Sequence, residues 1–188
     1  MVSALSRKIT GLITYWNGDN AVIGKERFEI AEHTAGRTFR ALCEMDDIGL
    51  LRDVTIALTT FCRITRSGQI ASTTWFCLTD DALIMEGNIE GIGRISQRLS
   101  NHSGFSYIGL HPLQGDALVT VQADRSRPGT FISVHSVTNS ISPNGDVGLY
   151  AMPVTIDVAF IGEEEIEVTA GRFLSWRFAL RWHEAWPP

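Results

Sequence analysis

Along most of the chain, apolar and polar side chains alternate with a period close to two. From Thr38 to Met45 one face carries Phe39, Ala41, Cys43 and Met45, and the other carries Thr38, Arg40, Leu42 and Glu44. Val54, Ile56 and Leu58 alternate with Thr55, Ala57 and Thr59, and Val154, Ile156, Val158 and Phe160 alternate with Thr155, Asp157 and Ala159. Near the end, Trp176, Phe178, Leu180 and Trp182 alternate with Ser175, Arg177, Ala179 and Arg181. Successive side chains of a strand leave opposite faces, so each segment has one apolar and one wetter face. That is the pattern of an antiparallel sheet, not of a parallel sheet buried on both sides.

Turn chemistry separates these segments at short intervals. Asn17-Gly18-Asp19, Ser67-Gly68, Pro112 to Gly115, Arg127-Pro128-Gly129 and Ser142-Pro143-Asn144-Gly145 supply Gly or Asn for positive φ, or Pro for a preset φ. The spacing predicts an all-β fold of roughly nine or ten strands, an antiparallel meander closed into a barrel or left as a half-barrel, with little helix. Asp46 to Asp53 has room for one helical turn, and Met1 to Thr10 reads as a short helix or a disordered arm. With no Pro/Ser linker to divide it, the span 1–188 reads as a single β-barrel domain.

Two bends share a tetrapeptide pattern. Thr34-Ala35-Gly36-Arg37 follows Phe28-Glu29-Ile30, and Thr169-Ala170-Gly171-Arg172 follows Glu165-Ile166-Glu167-Val168. Both predict hairpins with Gly at the bend, and shared turn chemistry explains the echo more simply than duplication does. The segment Gly162-Glu163-Glu164-Glu165-Ile166-Glu167-Val168-Thr169-Ala170-Gly171-Arg172-Phe173 resembles the penultimate hairpin of bacterial lipocalin-like (calycin-like) β-barrel proteins. Gly24-Lys25-Glu26-Arg27-Phe28-Glu29-Ile30 is similar to their opening strand. The resemblance implies an open or closed antiparallel barrel around a central cavity.

Composition narrows the chemistry. The 188 residues are 44% hydrophobic and 20% charged, which suits a folded core and argues against disorder. A formal net charge of -5 argues against a nucleic-acid surface. Fourteen of the sixteen basic residues are Arg, leaving Lys8 and Lys25, so Schiff-base or phosphate-loop lysines have almost nowhere to sit. Cys43, Cys62 and Cys77 lack CxxC spacing, and they read as buried thiols in a reducing compartment rather than a disulfide or zinc framework. The first residues lack a secretory apolar run, and no apolar stretch reaches the roughly 20 residues of a membrane span. The expectation is a cytoplasmic protein with no membrane partner.

The motifs GxSxG, HExxH, SxxK and GxxxxGK[ST] are absent, and Gly91-Ile92-Gly93 lacks the third glycine of a dinucleotide fingerprint. The five histidines show neither HxH nor HxxxH spacing, so no metal and no cofactor is expected. The chemistry then falls to polar residues in apolar strand faces. His135 lies in register with Phe131, Ser133 and Val137; Tyr107 and His111 share a face with Phe105; Gln97 falls in line with Ile95 and Leu99. Burying such groups is unfavourable unless they find partners or a wet cavity. The expected catalytic set is therefore His111, His135 and Tyr107 with Asp116 orienting a histidine. Gln97, Trp75, Phe131 and Arg40 are the expected ligand contacts, Arg40 as a clamp for an anionic group. Each of these has a plain structural reading beside it: a hydrogen-bonded strand residue, or for Arg40, Arg52 and Arg63, pairing with Glu44, Asp53 or Asp46. The run Glu163-Glu164-Glu165 reads as a solvated hairpin edge that discourages aggregation. Trp182 and Trp186 call for burial against the chain's own barrel or against a second copy in a homo-oligomer.

Two functions fit. One is a β-barrel that binds a small apolar or amphipathic molecule and isomerises, cyclises, hydrates or eliminates it by cofactor-free acid–base chemistry. The other is a non-catalytic carrier or protein-interaction module.

Overall fold

A computed structural model describes residues 5–34, 36–57, 59–102, 104–110, 112–140, 142 and 150–182. Leu58, His111, Pro143-Asn144-Gly145, His183 and Trp186 lie outside the described residues. Of the described residues, 68% are in strands and 6% in helix.

Eight strands follow one another as an antiparallel meander in the order β1 to β8. They are β1 (Leu5–Trp16), β2 (Val22–His33), β3 (Gly36–Met45), β4 (Leu50–Ile56), β5 (Thr59–Arg66), β6 (Gln69–Leu78), β7 (Ala82–Ile89) and β8 (Gly93–Ser100). The sheet curls into a half-barrel. A short β9 (Tyr107–Gly109), helix α1 (Leu113–Asp116) and a 3-10 turn at Ala117–Gln122 come next, followed by β10 (Ile132–Thr138), β11 (Met152–Val168) and β12 (Gly171–Arg181). These strands form a second sheet in the order β12-β11-β10-β9.

Strand alternation decides which residues enter the concave side. Val54, Cys62, Ile64, Phe76, Leu83 and Met85 are fully buried there and pack with Leu110, Val137 and Ala151, which arrive from the second half of the chain. The second sheet thus covers the hollow of the first. A second cluster joins Tyr107, Val119, Val134, Ile156 and Val158, with Phe178, Leu180 and Trp182 packed on it. Each large side chain removed from water here contributes about 1.5–3 kcal/mol.

The echoing bends are both hairpins with the same pairing across the turn, His33 with Gly36 and Val168 with Gly171. The two glycines have φ of +140° and +137°, a conformation that side chains rarely adopt.

Several expectations are corrected. Twelve strands are present among the described residues, two or three more than the nine or ten expected; three-residue β9, too short to show alternation, is one of them. The meander is broken at β9 and β10, which pair in parallel. The crossover that a parallel pair requires carries α1 and the 3-10 turn, so the helix lies there and not at Asp46–Asp53, where a turn leads into β4. Leu5–Thr10 is the start of β1 rather than helix or a disordered arm. Trp182 packs at 6.2 Å from the Tyr107 ring, the burial against its own fold that a late tryptophan calls for.

Candidate functional site

At the β1–β4 end of the half-barrel the concave face turns polar. Directly opposed residues run across the sheet from Ile13 to Glu26, Cys43, Arg52 and Ile64, a single row on the inner face. Glu26 is fully buried and Arg52 is 2% exposed, values at which a charge needs specific partners. The Tyr15 hydroxyl donates to Glu26 Oε2 at 2.6 Å, and the Leu113 backbone N–H donates to the same oxygen at 2.8 Å. Arg52 Nη1 donates to the Leu110 carbonyl at 2.7 Å. Glu26 and Arg52 therefore hold both sides of the chain's entry into α1.

That placement sets Asp116, the last residue of α1. Its Oδ1 accepts a hydrogen bond from the Tyr107 hydroxyl at 2.9 Å. Protein crowding around the carboxyl pushes its pKa up to about 7; Tyr107 pulls it down, the nearby Glu26 charge pushes it further up and Arg52 pulls it down. The Tyr107 phenol is shifted well upward by burial and by the charge of Asp116, so it remains a hydrogen-bond donor. Tyr15 is likewise shifted upward, chiefly by burial. Burial and the Glu26 charge push the Cys43 thiol up to about 12, which keeps it protonated and unreactive as a nucleophile at neutral pH.

The fold brings Tyr107 and Asp116 together, with Asp116 accepting the tyrosine's hydrogen bond; His111, a histidine it was expected to orient, lies outside the described residues. His135 does not join them. Tyr107 pairs with Ser136, one residue along β10, so the side chains of Tyr107 and His135 leave opposite faces. His135 is exposed beside Thr155, in a separate cleft of about 330 Å³ with Leu99, Ser100, Phe105, Pro153 and Val154.

The expected ligand contacts are also dispersed. Gln97 faces inward, but its amide is engaged twice by the backbone: Nε2 donates to the Ala151 carbonyl at 2.8 Å and Oε1 accepts from the Ala151 N–H at 3.0 Å. Trp75 is on the convex face, 46% exposed, against Phe61. The Phe131 ring carries the Arg181 guanidinium at 3.6 Å. Arg40 is exposed on the outer face, where it and Arg63 flank Asp53 at 3.5 and 3.0 Å. With Arg27 it borders a groove of about 560 Å³ over Gly11, but Arg27 is itself paired with Glu44. Among the described residues, no three His, Cys, Asp or Glu side chains are arranged to hold a metal ion, and no helix is long and apolar enough to cross a membrane.

Sequence reasoning missed Glu26, Arg52 and Tyr15. The signal was present: Arg52 sits between Leu50 and Val54, and Glu26 between Gly24 and Phe28, each a charge in the apolar register of its strand. Comparison of the chain with protein-family models, with curated proteins and with solved structures finds no match.

Proposed function

We propose that this half-barrel binds a small, largely apolar or amphipathic molecule and acts on it by cofactor-free acid–base chemistry, an isomerisation, cyclisation, hydration or elimination. The observation that carries this reading is the 2.9 Å hydrogen bond from Tyr107 to the raised carboxyl of Asp116, beside a row that also buries Glu26 and Arg52. A group near its midpoint at neutral pH both takes a proton and returns it, which is what a general acid–base step requires. In this scheme Asp116 moves the proton and Tyr107 orients its carboxylate. Glu26, held by Tyr15, positions Asp116 through the Leu113 N–H at the start of α1.

A panel of apolar ketones tests this without an identified substrate. Incorporation of deuterium from D2O into the α-carbon of each ketone is followed by NMR. The wild-type protein accelerates exchange for at least one member, and Asp116→Asn slows it by on the order of 100-fold. Equal rates in the two proteins would sink the assignment.

A different observation favours the second reading, a non-catalytic carrier or interaction module. β10 pairs with β11 only as far as Val158, so beyond Phe160 the β11–β12 hairpin is a two-stranded ribbon. On it Leu174 is 74% and Trp176 54% exposed, with Val168 and Phe173 close behind. Leu174 and Trp176 lie on one face of the ribbon, opposite Glu165 and Glu163, and Phe173 and Val168 lie on the other with Ile166. Exposed large apolar side chains on both faces support contact with a partner protein or a second copy of the chain. Sedimentation across a concentration series separates the cases. A monomer throughout, with no change on Leu174→Lys, counts against self-association.

A further inference from the structure

Two buried polar atoms have no hydrogen-bond partner among the described residues: Ser72 Oγ on the inner face of β6 and Asn139 Oδ1, on a residue that reaches Cys62 of β5. Both residues are only 1% exposed. Native interiors seldom keep one such atom unpaired, and two in one neighbourhood call for a third participant.

The backbone sets their positions. β5 pairs with β6 through Cys62 with Thr74 and Ile64 with Ser72, after which the register slips so that Thr65 faces Ile70. Ala71 is the extra residue of this β-bulge. Without it, Ile70 would follow Phe76, Thr74 and Ser72 inward; with it, Ile70 is 60% exposed while Ala71 and Ser72 are both buried. Bulges of this sort re-aim side chains and are common beside binding sites. Asn139 arrives just past the end of β10, where its Nδ2 donates to Cys62 Sγ at 3.8 Å. Cys62 is the diagonal neighbour of Ser72, a relation that places the Cα atoms roughly 7–8 Å apart. Asn139, bonded to Cys62, is thereby brought to the same stretch of the inner face as Ser72, and one small group reaching both would satisfy them together.

The two atoms also define what that group is. Asn139 Oδ1 requires a donor, and Ser72 can donate or accept. Turning the amide over would exchange the needs of its two ends, and a hydroxyl serves both arrangements. An ion is disfavoured, because two neutral ligands among Ile64, Phe76 and Ile89 would not replace its hydration. We infer that Ser72 and Asn139 form a buried hydroxyl-binding subsite, which takes water or the hydroxyl of an apolar alcohol. The subsite stands apart from the Tyr107–Asp116 reading and does not depend on it.

The experiment uses the full chain. Oxygen-17 relaxation dispersion counts long-lived internal waters in the wild type, Ser72→Ala and Asn139→Ala. Titration with benzyl alcohol, and separately with toluene, is followed on the Asn139 side-chain amide signals and on the Ser72 backbone amide. If water fills the subsite, Ser72→Ala loses one long-lived water and melts at a lower temperature. If an alcohol fills it, benzyl alcohol but not toluene shifts the wild-type signals, and Ser72→Ala weakens that response at least tenfold. A Ser72→Ala protein that melts higher, with no water lost and no alcohol response, overturns the inference, because the hydroxyl was then simply unpaired. A lower melting temperature with neither signal overturns it as well, since packing alone would explain the loss. Should Asn139→Ala fail to fold, Ser72→Ala decides the matter alone.

Discussion

Asp116 is a residue whose position opposes stability. Its carboxyl titrates from 3.8 in an ordinary setting to about 7 in the fold. Between those values the folded state holds more protons than the unfolded chain, so stability falls as pH rises through the window and the loss is complete above about 7. Asp116→Asn stays neutral and still accepts the hydrogen bond from Tyr107. It is expected to be more stable than wild type at pH 8 by on the order of 1–3 kcal/mol, with the difference closing toward pH 4. Denaturant titrations at the two pH values measure this, and a variant less stable than wild type at pH 8 contradicts it. Tyr107→Phe removes the bond that draws the carboxyl down, so Asp116 should titrate above 7, read from its carboxyl carbon-13 shift. Both residues were legible in the sequence, because Tyr107 intrudes on an apolar pattern and Asp116 follows a turn, but their hydrogen bond to each other was not, since Asp116 was expected to orient a histidine. Nor were the pair's partners. Glu26 and Arg52 become neighbours of α1 only when the chain returns to β2 after 87 residues, a contact that no local pattern encodes. His135 shares its strand face with fully buried Val137 yet is exposed, because burial changes along β10 and period-two reasoning reads only which face a residue is on.

At the scale of elements, a side chain stands in for a strand. The Gln97 amide offers Ala151 the donor and acceptor that a neighbouring backbone would, and so attaches the entry of β11 to β8. Gln97→Ala removes the donor to the Ala151 carbonyl and leaves the Ala151 N–H with only the Met85 sulfur at 3.2 Å, and is expected to cost about 2 kcal/mol in equilibrium unfolding. A null effect would show that water replaces the amide. Glycines reveal the close approaches between strands. A Cβ on Gly87 would overlap the Thr73 carbonyl, which is backbone and has little freedom to retreat. Gly87→Ala should destabilise by about 1–3 kcal/mol, while Gly18→Ala, open on all sides, changes little. The long strands were readable because each has an apolar face over several repeats. β9 and the crossover helix were not, since their form follows from packing against elements distant in sequence.

For the whole molecule, protection from solvent should be graded. β5 and β6 have neighbours on both sides and bury Cys62, Ile64 and Phe76, whereas no strand among the described residues pairs with either edge of the ribbon beyond Phe160. Amide hydrogen exchange is expected to be slowest from Phe61 to Phe76 and faster by orders of magnitude from Glu163 to Trp176. The acids Glu163, Glu164, Glu165 and Glu167 along one strand of the ribbon discourage unwanted pairing there, as their clustering in the sequence suggests. Uniform protection would mean that another chain covers the ribbon.

The sequential order of the first eight strands has a consequence for birth on the ribosome. Every pairing in that sheet is complete once Ser100 has emerged, yet its hollow is covered by Leu110, Val137 and Ala151. At ordinary translation speeds the cover trails the sheet by several seconds. Throughout that interval the nascent chain displays Phe76, Leu83 and Met85 to whatever meets it at the exit tunnel. The half-barrel is thus obliged to pass through a sticky youth, and a chaperone that shields concave apolar surfaces would raise its yield more than one that waits for the finished chain.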